Sequence, residues 1–505
     1  MPLDIAASFG AVFSGRKKIH GSCTTREAFR QVPKYFVFHL RHRGLAEAGL
    51  YQYITTFQLI FLTGVVKIPP EVAGSITSVA ILLEAACCFV VGHLSDSLRW
   101  RYGRRRPFIF LSAFLLPFTM TANFITVQAS IQVQAVYYIL MGSLFWIAYS
   151  LFYIPYTALG AEIAVDYDAR TKLRSIARVF TISGTFIANV CPLLAIGILI
   201  KAGMADGQAW LLFTIFMSAL VGIGVYICWY NTAGTERMEF PDESTQEKIK
   251  KQLLDNFVSI IKDFYELMRL KAMAILVGTK IVFMFGFTLY TSGMMFFMQY
   301  ALNLDIQVTS TVYMVSIFAS ILFTPLITHW AVRGGKKSLI SGAMTISGLC
   351  GVLLWIFGVD SYVASLMYVI VFTFGQAAFW QISSAMFYDV AEADEYVSGK
   401  RREGAIIAFQ SIVGTLSASL GLQAIGLLLK LAGFNEALSA QSAETVKMLK
   451  DIFVLFPSVS LLVTTLTLLA YPLSKKRFEL LQKALALRSR GEDYSEYRTE
   501  IDKWI

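Results

Sequence analysis

The stretch Gly92-His-Leu-Ser-Asp96, followed by Arg99, Arg101, Gly103 and Arg104-Arg105-Arg106-Pro107, joins two long apolar runs, 70–94 and 107–127. A second stretch answers it: Pro325-Leu-Ile-Thr-His329, then Arg333-Gly334-Gly335-Lys336-Lys337, again between apolar runs, 309–332 and 338–358. A basic, glycine-containing turn repeated between hydrophobic segments marks a membrane protein built from two like halves. Asp96 at one helix end can accept from the arginines that open the next helix, latching the two together. The plainer reading is that the arginines only set topology.

Apolar runs also fall at 44–66, 133–158, 173–200 and 208–231, then at 272–301, 362–388, 404–432 and 449–472. A spanning helix needs roughly 20 apolar residues. The runs therefore predict an all-α membrane protein with twelve transmembrane helices in two six-helix halves. Hydrophobic residues are 56% of the chain and charged residues 15%, a balance that excludes a soluble domain of this size. The expected organisation is a cytoplasmic segment 1–40, a first bundle 41–232, a linker 233–271, a second bundle 272–473 and a tail 474–505. Within the linker, Ile249, Leu253, Phe257, Ile260, Phe264 and Leu267 recur at helical spacing, predicting an amphipathic helix along the membrane surface.

Charge fixes the orientation. Of the 44 lysines and arginines, the loops on one side hold only Lys67, Lys201, Lys430, Lys447 and Lys450. Nearly all the others lie on the opposite side, so both termini are expected in the cytoplasm. The net charge of +10 comes from these short clusters, not from a binding face, so no nucleic-acid partner is expected. Cys23, Cys87, Cys88, Cys191, Cys228 and Cys350 show no paired spacing, which argues against disulfides and zinc. Basic residues follow the apolar stretch 5–13, an order wrong for a cleavable signal peptide. The first span is expected to serve as the targeting signal. No Asn-x-Ser/Thr sequon occurs, which favours a bacterial inner membrane.

Two further stretches narrow the reading. One is Tyr153-Ile-Pro-Tyr156 through Glu162, then Asp166, Asp168, Arg170, Arg174 and Arg178. The other is Phe387-Tyr-Asp389-Val-Ala-Glu392, then Glu395-Tyr396 and Gly399-Lys-Arg-Arg-Glu-Gly404. Together with the Asp96 turn they resemble the glycoside–pentoside–hexuronide:cation symporter family of the major facilitator superfamily, typified by the melibiose permease. The resemblance runs from about residue 40 to 470. It implies a substrate site at midplane between the halves, with Glu47 accepting sugar hydroxyls, Arg178 beside the sugar and Trp380 stacking on its ring. The family's paired acids on helix 2 fall on Glu84 and Cys88, its helix 4 acid on Tyr153 and its helix 11 lysine on Thr415. It also implies a cytoplasmic gate from Asp96, Arg104, Arg105, Asp166, Arg170 and Asp389.

The departures carry information of their own. Sodium wants several hard oxygen ligands, and the thiol of Cys88 is a poor one. A single buried carboxylate can instead take up and release a proton. Glu84 lies near mid-bilayer, about 18 Å along the helix from Asp96. It is the expected coupling residue, with H⁺ favoured over Na⁺; its bland alternative is a protonated structural acid. Lys280, roughly 14 Å into the seventh run, either joins the coupling site, replacing the charge lost at Thr415 by pairing across the halves with Glu84 or Glu47, or snorkels to the interface. Tyr149 and Tyr153, spaced i and i+4, can share a face toward a sugar, though most aromatic residues in such a chain pack or face lipid.

The expected function is secondary active transport of a sugar, glycoside or uronide by alternating access, coupled to protons. Rival readings are a transporter of a lysolipid or other amphiphile, an uncoupled facilitator, and a non-transporting sensor. The sensor would need a long folded appendage, which is not expected here. No nucleophile–base pair, metal cluster or nucleotide loop appears, so no enzyme activity, metal or cofactor is expected. The partners expected are a small-molecule substrate and membrane lipids, with the chain acting as a monomer.

Overall fold

A computed structural model of the chain describes residues 51–97, 105–163, 183–232, 262, 264–399, 402–435, 438, 440–490 and 492–504. Glu47, Arg104, Asp166, Arg170 and Arg178 lie outside the described residues, as do the side chain of Asp96 and most of the linker.

Helix α1 covers 51–60 and continues as a π-helical turn, Phe61–Val65. There follow α2 (Pro70–Ser97), α3 (Arg106–Ala122), α4 (Ile131–Ile163), α5 (Ser183–Lys201) and α6 (Asp206–Asn231). The second half holds α7 (Lys271–Phe296), α8 (Ile306–Gly334), α9 (Lys336–Phe357), α10 (Tyr362–Ser398), α11 (Glu403–Leu431) and α12 (Ala443–Leu469). Among the described residues nine helices, α4 to α12, are long and apolar enough to cross a bilayer. The helices present their apolar faces outward: Phe114, Phe118, Phe216, Ile223, Leu322 and Leu466 are all more than half exposed. Such a surface is stable only against lipid.

Inside, polar pairs join helices that have no hydrophobic reason to meet in lipid. Tyr53 on α1 bonds Thr214 on α6 at 2.7 Å, and Gln58 donates to Asn123 at 2.8 Å. Thr279 on α7 meets Thr467 on α12 at 3.0 Å, and Ser316 on α8 meets Thr373 on α10 at the same distance.

The two halves repeat one another in packing. In the first, α2 packs on α4, α4 on α3 and α3 on α6; in the second, α8 packs on α10, α10 on α9 and α9 on α12. The repeat is sharpest at the ends of α1 and α7. Phe61–Val65 and Phe297–Ala301 are both π-helical turns. Each is closed by the same pair of bonds, Val66 N to Phe61 O and Ile68 N to Leu62 O, or Leu302 N to Phe297 O and Leu304 N to Met298 O. Lys67 and Asn303 then occupy the left-handed region, with φ of 66° and 52°.

The halves meet along α2 against α11 and α5 against α8. Ser78 and Ser419 hydroxyls are 2.7 Å apart, and Ser419 also donates to the Ser78 carbonyl at 3.1 Å. Ion pairs flank the seam: Lys430 with Glu71 at 3.0 Å and Lys201 with Asp305 at 3.2 Å. These contacts gather at the loop end that carries Lys67, Lys201 and Lys430.

The tail is more ordered than the sequence suggests. It forms α13 (Lys475–Arg490) and α14 (Ser495–Ile501). Leu481, Ala484 and Ile501 are buried. Arg488 donates to the Tyr396 carbonyl at 3.1 Å, docking the tail on the end of α10. The spacing of Phe478, Leu481 and Leu485 carries the signal for this short amphipathic helix.

Candidate functional site

Glu84 sits inside α2, about 21 Å along the helix from Pro70. It is only 7% exposed, and its Oε2 has no hydrogen-bond partner among the described residues. Tyr51 on α1 lies within electrostatic reach of it. Tyr51 touches Trp146 edge-on at 5.4 Å and Tyr149 at 6.1 Å, and Tyr149 stacks on Tyr153 with an 8° tilt. The i, i+4 spacing thus does bring the two tyrosines together on one face of α4. Acid and aromatic wall come from three helices of the first half.

The second half holds a cation and an aromatic wall of its own. Lys280 on α7 is 7% exposed. Its ammonium lies 5.9 Å from the centre of the Trp380 ring on α10, a cation–π distance. Phe283 and Phe287 hold that ring edge-on at 5.9 and 5.7 Å. A Cβ on Gly414 of α11 would stand 3.1 Å from Lys280 Cε, so the lysine stem fills the space a side chain would need. Lys280 therefore does not snorkel; it is held against α10 and α11. Thr415, next to Gly414, is half-buried.

At the opposite end of the bundle, Lys336 of the basic turn pairs with Asp389 at 2.6 Å, bracing α9 against α10. Arg105 is buried, and Arg106 donates to the Trp229 carbonyl at 3.1 Å. A cavity of about 630 Å³ opens elsewhere, among the loops and helix ends around Lys67, Gln128, Gln134 and Asp206, and contains none of the expected site residues. Tyr51, Trp146, Phe283, Phe287 and Gly414 were not singled out by sequence. The one available signal was helical spacing, since Trp146 precedes Tyr149 by three positions.

Relatives match this chain over most of its length. A glucuronide carrier protein homolog of Escherichia coli (strain K12) is 26% identical over 430 residues, covering 84% of this chain and 89% of that protein. A putative sulfoquinovose importer of Salmonella typhimurium is 24% identical over 440 residues, covering 86% and 89%. The crystal structure of the nucleoside transporter NupG matches with a TM-score of 0.59 at 16% identity, over 86% of this chain and 98% of that one, which shows the major facilitator fold. The model of the MFS/sugar transport protein family matches residues 44–475. The chain is a multi-pass membrane protein and not an enzyme. It belongs to the MFS/sugar transport protein family, the melibiose-permease-like group of secondary transporters within the major facilitator superfamily.

Proposed function

We propose that this chain carries a sugar, glycoside or uronide across the membrane by alternating access, coupled to protons through Glu84. In this reading α1, α2 and α3 join the nine long apolar helices to make a set of twelve spans, both termini are cytoplasmic and the clamped seam faces outward. The two relatives, a glucuronide carrier protein homolog and a putative sulfoquinovose importer, support a sugar-type cargo.

The observation that carries the coupling is the buried, unpartnered Oε2 of Glu84 on α2. An isolated ionised carboxylate is costly in this setting, which suits the group to take up and release a proton as hydration or a substrate changes around it. Cys87 is close to Glu84 and the second helix 2 position is Cys88, which leaves sodium without the hard oxygens it requires. Trp380, Tyr149 and Tyr153 offer ring faces for the C–H surface of a sugar. The Lys336–Asp389 pair is the second-half counterpart of the cytoplasmic latch expected at Asp96, Arg104 and Arg105, with Asp166 and Arg170 completing that gate.

Uptake into proteoliposomes under an imposed pH or sodium gradient, over a panel of glycosides, uronides and lysophospholipids, tests this. A pH gradient should accelerate uptake of a panel sugar by the wild type and not by Glu84→Gln. Uptake indifferent to Glu84→Gln under every gradient removes the coupling residue; uptake of lysophospholipid alone removes the sugar.

A further inference from the structure

We propose that the transported solute is an anion, and that Lys280 is the residue that binds its carboxylate or sulfonate. The inference rests on the reading above that the cargo is sugar-like, and it names the class within it. The largely buried Arg402 of the second half has acids, bonding Asp394 and Glu266, and the half-exposed Lys336 bonds Asp389. Lys280 is as buried as any of them, yet no ion pair or hydrogen bond to it occurs among the described residues.

Its surroundings are nevertheless shaped. A Gly414 Cβ would stand 3.6 Å from the ammonium and 3.1 Å from Lys280 Cε, so a side chain on α11 would press on the lysine stem. The Trp380 ring flanks the ammonium at 5.9 Å, and Phe283 and Phe287 wall off the ring. A ring face and an adjacent buried ammonium together suit a pyranose whose C–H face stacks while its acid accepts from the amine. Glu84, an acid on α2 in the other half, is itself without a hydrogen-bond partner at Oε2 among the described residues. An incoming anion supplies what the lysine lacks, which makes the lysine a specificity determinant for charge.

The experiment compares four probes on purified protein: methyl β-glucoside, methyl β-glucuronide, its carboxamide and the 6-sulfo analogue. Each is scored by the ligand-induced rise in unfolding midpoint, which yields an apparent Kd. The charged probes should bind about tenfold to a hundredfold more tightly than the glucoside and the amide, the worth of one charge-assisted hydrogen bond. Comparing the carboxylate with the sulfonate then separates the two acids. Lys280→Met should collapse the preference, whereas Lys280→Arg should retain most of it. Equal binding of acid and amide by the wild type, or a preference that survives in Lys280→Met, overturns the assignment. Binding of none of the four overturns the sugar reading as well, so the two failures are distinguishable. The acid-against-amide comparison needs no variant and stands even where Lys280→Met does not fold.

Discussion

Gly74 and Gly426 meet backbone to backbone where α2 crosses α11: a Cβ added to either would fall 3.2 Å from the Cα of the other. A Cβ on Gly426 would also stand 2.5 Å from the Pro70 carbonyl oxygen. No rotamer relieves such a clash, because the obstacle is main chain. Gly426→Val should therefore cost the clamped state about 1–3 kcal/mol and slow any cycle that must pass through it. Labelling of a Ser78→Cys variant by an impermeant maleimide checks this: added to the side of the clamp, the reagent should react faster when Gly426→Val is present. Unchanged labelling would mean the crossing does not govern access.

The same seam offers a covalent lock. Ser78 and Ser419 place their side-chain oxygens 2.7 Å apart, across the two halves. A disulfide needs its sulfurs about 2.05 Å apart with Cβ atoms about 3.5–4.5 Å apart, which this approach suits. Ser78→Cys with Ser419→Cys should cross-link under mild oxidation, arrest transport and recover it on reduction. Continued transport by the fully cross-linked protein would show that the seam need not open.

The ion pairs beside it should matter far less. Lys430 and Lys201 are each more than half exposed, and pairs of that kind contribute about 0–1 kcal/mol and weaken with salt. Glu71→Gln should shift the unfolding midpoint by little and change uptake by about twofold or less. A larger loss that a Glu71→Lys, Lys430→Glu swap restores would make the pair a working gate.

Hydropathy made the helices legible. The run read as 338–358 is Lys336–Phe357, and 362–388 grows only at its polar end, to Ser398, because Asp389 and Glu392 interrupt the apolar count without breaking the helix. The repeat was legible at the basic turns, where charge has to recur, but not at the turns after α1 and α7. There FLTGV and FMQYA share only their first residue while the backbone bonds coincide, so the likeness is one of main chain. The site was half legible for a related reason. Glu84 announces itself by chemistry, Trp380 through the family resemblance, and the Tyr149–Tyr153 stack by spacing. The seat of Lys280 depends on Gly414, whose contribution is the lack of a side chain, and no search for functional groups finds that. Of Glu47 and Arg178 the described residues say nothing.

One further residue pair escaped the sequence reading and carries the firmest stability prediction. Arg402, at the start of α11, donates Nε to one oxygen of Asp394 at 3.0 Å and Nη2 to the other at 2.6 Å, while Nη1 reaches Glu266 at 2.7 Å. It thereby ties the end of α10 and the start of α11 to the approach to α7. Asp394 is only 1% exposed, so removing the arginine strands a buried carboxylate. Breaking a buried pair in this way costs about 3–5 kcal/mol. Arg402→Ala should thus lower the unfolding midpoint sharply in detergent. Arg402→Lys should recover only part of the loss, because an ammonium cannot present the fork that spans both carboxylate oxygens. The double variant Arg402→Ala, Asp394→Asn should be more stable than Arg402→Ala alone, since it removes the stranded charge. If the double variant is no better than the single one, the destabilisation comes from lost packing at the α10–α11 corner and not from the carboxylate.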